Sequence, residues 1–178
     1  MQENLNSKLG WLKIGIKTIG TAGLSELKIN NLCNTLNVTK GCFYHWFQSK
    51  RDYEIQILEF WKLKFTQNFI DLAEIGKTDR EKLSLLGRQC INATINGNRL
   101  EFEINAWSQK DKEVQKFVYS VYKQRYNYIT KLLSSIYTNK TEVKKHALTL
   151  YSLVVGVDFF YRKLTLTELE LIFSDYLA

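Results

Sequence analysis

Apolar residues recur along this chain mainly at steps of three and four, the period of helices with one buried face. Leu5, Leu9, Leu12, Ile16 and Ile19 form one such stripe. Gly20 and Gly23 then punctuate its end, where glycine accepts left-handed backbone. Gly10 and Gly15 lie inside this first helix and weaken its intrinsic propensity. Ile29, Leu32, Cys33 and Leu36 predict a short second helix, with Asn37 as a left-handed C-cap. Thr39 is a residue type that caps a helix N-terminus. It predicts a third short helix to about Trp46, with Phe43 and Phe47 facing inward. Ser49 opens a fourth helix running to about Ala73, with an apolar face of Tyr53, Ile57, Phe60, Trp61, Phe65 and Phe69. Ser49 and Asp52 have capping-box spacing, with Asp in place of the usual Glu.

Beyond Gly76 and Lys77, Thr78 and Glu81 form a capping box for a helix over about Asp79–Ile95. Asn96, Gly97 and Asn98 make a turn, and a helix over about Leu100–Gln109 follows. A long amphipathic helix runs from Val114 through Phe117, Val118, Val121, Tyr122, Tyr128, Ile129, Leu132 and Leu133 to Ile136. Polar residues at Thr138–Thr141 separate it from a helix over Glu142–Lys163. The last helix is expected over about Thr167–Leu177, with Glu168 and Glu170 in the first turn, as the helix dipole favours. There is no period-two strand pattern and no internal repeat. The expected fold is all-α, with an N-terminal three-helix head containing a helix-turn-helix. A long helix links it to a separate C-terminal helical bundle. The expected domains are 1–50, with the start of the connecting helix to about 65, and 51–178.

Composition sharpens this picture in three places. The chain has no proline, against an average usage of roughly 5%, which an all-helical chain tolerates easily. Its formal net charge is +7, which favours anionic partners without choosing among them. The distribution is more informative. From Leu27 to Arg51 there is no Asp or Glu, while Lys28, Lys40, Lys50 and Arg51 are present. Cys33, Cys42 and Cys90 form no CxxC pair and are odd in number, so neither a disulfide framework nor a zinc site is expected. The N-terminus reads as no signal peptide. The most apolar stretch, Ala147–Tyr161, contains Asp158 and is shorter than the ~20 residues that a membrane span needs. A soluble protein in a reducing cytoplasm is the expectation, with no membrane partner.

Two short helices joined by a tight turn make a helix-turn-helix, whose second helix enters the major groove of DNA. Phosphate recognition uses Lys, hydroxyls and backbone amides. The segment Thr39–Lys50, reading TKGCFYHWFQSK, offers Thr39, Lys40, Gly41, Tyr44 and His45, with Ser49, Lys50 and Arg51 just beyond. Gly41 allows close backbone approach. The alternative is a solvated basic head with ordinary core aromatics. Phe43 and Phe47 are core on either reading, while Tyr44 and His45 point elsewhere.

The run from Ile29 to Lys50, INNLCNTLNVTKGCFYHWFQSK, closely resembles the signature of the TetR (tetracycline-repressor) family, and the likeness covers about Leu5–Phe65. That resemblance implies an all-helical homodimer whose heads read a palindromic operator in double-stranded DNA and whose C-terminal domains bind a small molecule. It implies Lys40 and Gly41 at base edges with Thr39 beside them, and Tyr44, His45 and Lys50 at phosphates or groove edges. Lys28 and Asn30 would sit at the start of the motif's first helix. Three positions depart from the family pattern. Lys28 replaces a capping Thr or Ser, which leaves Ser25 as the alternative cap. Cys42 replaces a Ser or Thr that would reach phosphate. Asn37 replaces Gly. The run LEFEINAWS at Leu100–Ser108, followed by Asp111, Val114, Arg125 and Tyr128, is similar to a subset of the same regulators and names no ligand.

Cys42 has two readings, a redox-sensitive thiol beside Lys40 or a small residue in place of Thr. Cys33 and Cys90 occupy apolar positions. His45 and His146 are the only histidines and belong to no metal or catalytic motif, so no enzyme, metal or cofactor is expected. Glu101 and Glu103, two apart on a helix, face different sides. Trp61, Phe65, Phe102, Trp107, Tyr119, Tyr122 and Tyr126 are either core or the lining of an effector cavity. Ala147–Tyr161 is apolar nearly all round and needs cover on more than one side. A homodimer contact through about Glu142–Leu177, completed by the last helix, supplies that cover. The function expected is a sequence-specific repressor released by an unknown small-molecule effector. The alternative is a constitutive DNA-binding or nucleoid-associated protein.

Overall fold

A computed structural model of the chain describes residues 7–97, 99–160 and 162–177. Among them there is no strand. The helices are α1 (Lys8–Ala22), α2 (Ile29–Leu36), α3 (Lys40–Trp46), α4 (Lys50–Lys62), α5 (Asn68–Ala73), α6 (Asp79–Asn96), α7 (Leu100–Ser108), α8 (Lys112–Ile136), α9 (Lys140–Gly156), α10 (Leu166–Ile172) and α11 (Ser174–Leu177). No helix of the described residues is long and apolar enough to cross a membrane. The residues fall into two compact units. One holds the described residues of 1–63 and 98–118, and the other those of 64–97 and 119–178.

In the first unit, Ser7 caps α1 by accepting the Gly10 amide. The buried side of α1 is Gly10, Trp11, Gly15, Ile16, Ile19 and Gly20. This corrects the leucine stripe. Leu9 is exposed, Leu12 is half-buried, and Leu5 lies outside the described residues. Gly15 marks the contact with α4, which packs close against it. A Cβ on Gly15 would run into the Tyr53 hydroxyl and would stand 2.6 Å from Ile57 Cδ1. Trp11, Phe43, Phe47 and Tyr53 enclose one another, with Trp11 edge-on to Phe43 at 5.5 Å and Tyr53 edge-on to Phe43 at 5.3 Å. All four are essentially inaccessible to solvent. Each such ring pair contributes about 0.5–1.5 kcal/mol beyond its buried area. The Tyr53 hydroxyl donates to the Trp11 carbonyl at 2.6 Å, and burial pushes this phenol's pKa up.

The turn between α2 and α3 is made as the sequence predicts. Asn37 adopts left-handed backbone at φ 53° and ψ 49°, and the Val38 amide closes onto the Cys33 carbonyl at 3.0 Å. Ser25 does not cap α2, because it lies in a separate 3₁₀ turn, Leu24–Glu26. Lys28 holds the N-cap position with extended backbone and no side-chain cap. The Glu26 carboxylate accepts from Asn31 Nδ2 at 2.9 Å and pairs with Lys28 at 3.3 Å.

The backbone between α4 and α5 widens into a π-helical turn, Leu63–Gln67, where the sequence pattern predicts unbroken α-helix. Thr66 is buried there and accepts from Arg125 Nε at 2.7 Å, within the second unit. The core of this unit is Leu83, Ile91, Ile129, Leu132, Leu133, Val143, Ala147, Leu150, Leu169, Phe173 and Tyr176. α9 stops at Gly156 rather than near Lys163. Val157–Phe159 tightens to 3₁₀ geometry and Phe160 is extended. None of the residues 151–160 is fully buried, so little packing sustains the helix there. Tyr161 and Asn98 lie outside the described residues. The last helix divides at Phe173 into α10 and α11. Thr165 and Glu168 form a reciprocal capping box at the start of α10.

Gly15→Ala is expected to destabilise the chain by about 1–2 kcal/mol in urea unfolding. The overpacking cost exceeds the helix-propensity gain of roughly 1 kcal/mol. Asn37→Gly leaves stability unchanged or slightly higher. Asn37→Ala lowers it by about 1 kcal/mol, the cost of a Cβ in left-handed backbone.

Candidate nucleic-acid interface

Of the seven residues of α3, only Phe43 is buried. Lys40, Gly41, Cys42, Tyr44, His45 and Trp46 are all exposed, and so are Thr39 before the helix and Lys50 after it. Phe43 enters the aromatic enclosure of Trp11, Phe47 and Tyr53, so the other side of the helix faces outward. Tyr44 remains 55% exposed although its ring meets the edge of Phe43. A polar and aromatic surface of this kind suits phosphate and base-edge contacts.

Thr39 has the extended backbone of an N-cap, but its side chain makes no capping bond. Its hydroxyl lies 3.7 Å from Cys42 Sγ. The sequence therefore places this residue correctly without foreseeing what its hydroxyl does. At Gly41, a Cβ would meet only Thr39 Oγ1 at 3.5 Å. Nothing inside the described protein demands a glycine there.

The start of α4 is held by its caps. Ser49 Oγ accepts the Asp52 amide at 3.0 Å, and the Asp52 carboxylate accepts the Gln48 amide at 2.8 Å. Hydrogen bonds from Gln56 and from the Gln48 amide hold the Asp52 pKa below the usual carboxylate range. Lys50 is exposed and pairs with Glu54 at 3.2 Å. Arg51, grouped with the phosphate ligands on sequence, turns elsewhere. Its guanidinium reaches Asp111 at 2.7 Å, Glu113 at 2.6 Å and Glu54 at 3.3 Å. Asn30 is exposed in the first turn of α2, and Lys28 is exposed beside Glu26. The nine candidate DNA-binding residues thus all lie at the surface of α2, α3 and the start of α4. Arg51 and its acids form a separate cluster. Asp111 and Glu113 follow Arg51 by some sixty positions, and no local spacing reveals that partnership.

The aromatic candidates for an effector site divide between the units. In the first unit Trp61 is fully buried and donates from Nε1 to Glu101 at 2.9 Å. Trp107 is buried, and Phe102 lies under the Arg99 guanidinium at 4.6 Å. The paired glutamates serve different elements, as their spacing predicts, since Glu103 accepts the Leu24 amide at 3.4 Å. In the second unit Phe65 meets Phe69, and Tyr119 is 68% exposed. Tyr122 and Tyr126 both approach Tyr151 edge-on, at 6.2 and 5.9 Å. Arg125 stands 5.7 Å from the Tyr122 ring. Tyr151 joins this group although the sequence pattern assigns it to the apolar run of the last helices. No group of three or more His, Cys, Asp or Glu among the described residues is arranged to hold a metal ion.

No protein-family model and no curated protein matches this sequence. Solved structures do match its fold. SCO4454, a TetR-family transcriptional regulator from Streptomyces coelicolor, superposes with a TM-score of 0.78 at 13% identity, covering 97% of each chain. NemR of E. coli, in its reduced form, superposes at 0.74 with 19% identity, covering 93% of this chain and 92% of its own. The superantigen PfiT superposes at 0.69 with 17% identity, covering 99% of this chain and 96% of its own. At identities this low the likeness speaks for architecture. The head built on Trp11, Phe43 and Tyr53, the outward-facing α3 and the helices that follow together give this chain the fold of the TetR-family regulators.

Proposed function

We propose that the chain is a sequence-specific, DNA-binding transcriptional regulator, with α3 as its recognition helix. One observation carries the reading. A seven-residue helix anchored by Phe43 alone presents Lys40, Gly41, Cys42, Tyr44 and His45 outward. Thr39 and Lys50 extend that surface, and Lys28 and Asn30 flank it on α2. No acid falls between Leu27 and Arg51, and the acids that pair with this surface, Glu26 with Lys28 and Glu54 with Lys50, lie at its margins. On this reading Lys40 and Gly41 approach base edges while Tyr44, His45 and Lys50 meet the backbone. The head is assigned to residues 1–50 and the effector and dimerisation part to 51–178.

The proposed regulator is a homodimer through about 142–177. In that region Leu148, Phe159, Phe160, Leu166 and Leu171 are exposed, Leu171 at 74%. A Cβ on Gly156 would meet nothing within 4 Å, which permits close approach by a second copy. Two-fold symmetry then matches a palindromic operator with half-sites about one helical turn apart. Release by a small-molecule effector is the regulatory reading. It draws support from the aromatic cluster of Tyr122, Tyr126 and Tyr151, because effector pockets between helices are apolar with a few polar groups. A constitutive DNA-binding protein is the second reading. It draws on the complete burial of Trp61 and the exposure of Tyr119, which suit a core residue and a surface residue rather than a cavity lining.

Three outcomes are expected. A duplex selected from random DNA by the wild-type protein is bound with a steep salt dependence. Lys50→Ala weakens that binding and reduces the salt slope by about one, while Tyr44→Ala weakens it without lowering the melting temperature. Absence of any salt-sensitive DNA binding removes the proposal. In sedimentation, Leu171→Glu and Phe160→Glu each shift the dimer toward monomer. Thermal shift against a metabolite panel separates the two regulatory readings, since a bound effector raises the melting temperature.

A further inference from the structure

Arg51 is the second residue of α4, five residues past the end of a recognition helix that finishes at Trp46. Its position in a basic, acid-free window makes it look like a phosphate ligand. Its contacts say otherwise. Nη1 and Nη2 reach the two Asp111 carboxylate oxygens at 2.7 and 3.1 Å. Nε and Nη2 reach Glu113 Oε2 at 3.2 and 2.6 Å, and Nη1 reaches Glu54 at 3.3 Å. All three guanidinium nitrogens are therefore engaged by carboxylates. Paired hydrogen bonds to one carboxylate also fix a guanidinium's orientation as well as its charge. Asp111 in turn accepts the amides of Glu113 and Val114 at 3.0 and 3.2 Å, so it caps the start of α8. One carboxylate thereby joins the first turn of α8 to the first turn of α4.

The charges settle the direction of the effect. Lys50 and Arg51 face Glu54, Asp111 and Glu113, two cations against three carboxylates. A phosphate reaching for Arg51 would have to approach these acids. Hydrogen bonds donated to Asp111 and then Glu113 hold the guanidinium more firmly protonated than usual, and Arg51 holds the Asp111 carboxyl below its ordinary range.

We propose that Arg51 is a positioning residue for DNA binding, a latch that fixes the α3–α4 corner against the Asp111-capped start of α8 and makes no phosphate contact. The proposal rests on the DNA-binding reading and gives α8 a direct mechanical hold on the recognition helix.

The test compares Arg51→Met, Asp111→Asn and the double variant. Asn retains the capping oxygen, so Asp111→Asn removes charge while leaving α8 its cap. Binding is measured to a duplex selected by the wild-type protein, across a salt series. A latch predicts that both single variants weaken binding, Arg51→Met by about tenfold, with the double variant no weaker than Arg51→Met. The salt slope stays at the wild-type value. Glu113→Gln gives a smaller loss of the same sign. A phosphate contact predicts opposite signs, with Asp111→Asn tightening binding by freeing the guanidinium and Arg51→Met lowering the salt slope by about one. Either of those results overturns the proposal. Hydrogen exchange on the DNA-free protein supplies the independent arm. Both variants should speed exchange at the Phe47 amide, with melting otherwise cooperative. Unchanged exchange overturns the latch even if DNA binding holds. Absence of DNA binding by the wild-type protein, with exchange altered as stated, overturns the DNA reading and with it the assigned role of Arg51.

Discussion

Tyr53 is the residue on which the head depends. Its ring closes the enclosure around Phe43, and its hydroxyl reaches the Trp11 carbonyl one helix away. That reach exists because Gly15 leaves the surface of α1 open at the point of contact. A buried hydroxyl without a partner costs about 1–3 kcal/mol, so this bond fixes the separation of α1 and α4 as well as stabilising it. The placement of α3 follows. Phe43 has one pocket to enter, and the walls of that pocket are Trp11, Phe47 and Tyr53.

Most of the helices are legible in the sequence because caps and turns are local. Asn37 takes left-handed backbone as its chemistry suggests. Ser49 and Thr78 accept the amides three residues on. The acids paired with them reach one residue further back than a capping box requires, Asp52 to the Gln48 amide and Glu81 to the Lys77 amide. What periodicity does not reveal is which of two overlapping faces is buried. On α1 the leucines gave the more conspicuous stripe, yet Trp11, Ile16, Ile19 and the glycines are the buried residues, with Gly15 leaving room for α4. The early end of α9, the division at Phe173 and the π-helical turn at Leu63–Gln67 are likewise tertiary outcomes with no local signal.

The candidate site divides in the same way. The exposure of Lys40, Tyr44 and His45 follows from the helical phase of Phe43 and could be read directly. The fate of Arg51 could not, since its distant carboxylate partners are Asp111, just before α8, and Glu113, in the first turn of α8. A basic residue in a basic window is a candidate ligand only until its partners are known. The aromatic candidates show the complementary difficulty. Trp61 and Tyr119 are alike in composition and helical context, yet one is sealed in the core against Glu101 and the other faces solvent.

The single anchor of α3 separates two demands that most short helices must meet together. Six of its seven positions carry no burden of burial, so exchanges among polar residues there alter what the helix touches while leaving the folding free energy nearly untouched. Surface substitutions of this kind usually fall within about ±0.5 kcal/mol. A lineage built on this head can exchange these surface residues by single steps without passing through an unfolded intermediate genotype. The enclosed aromatic residue, by contrast, has almost no freedom to vary.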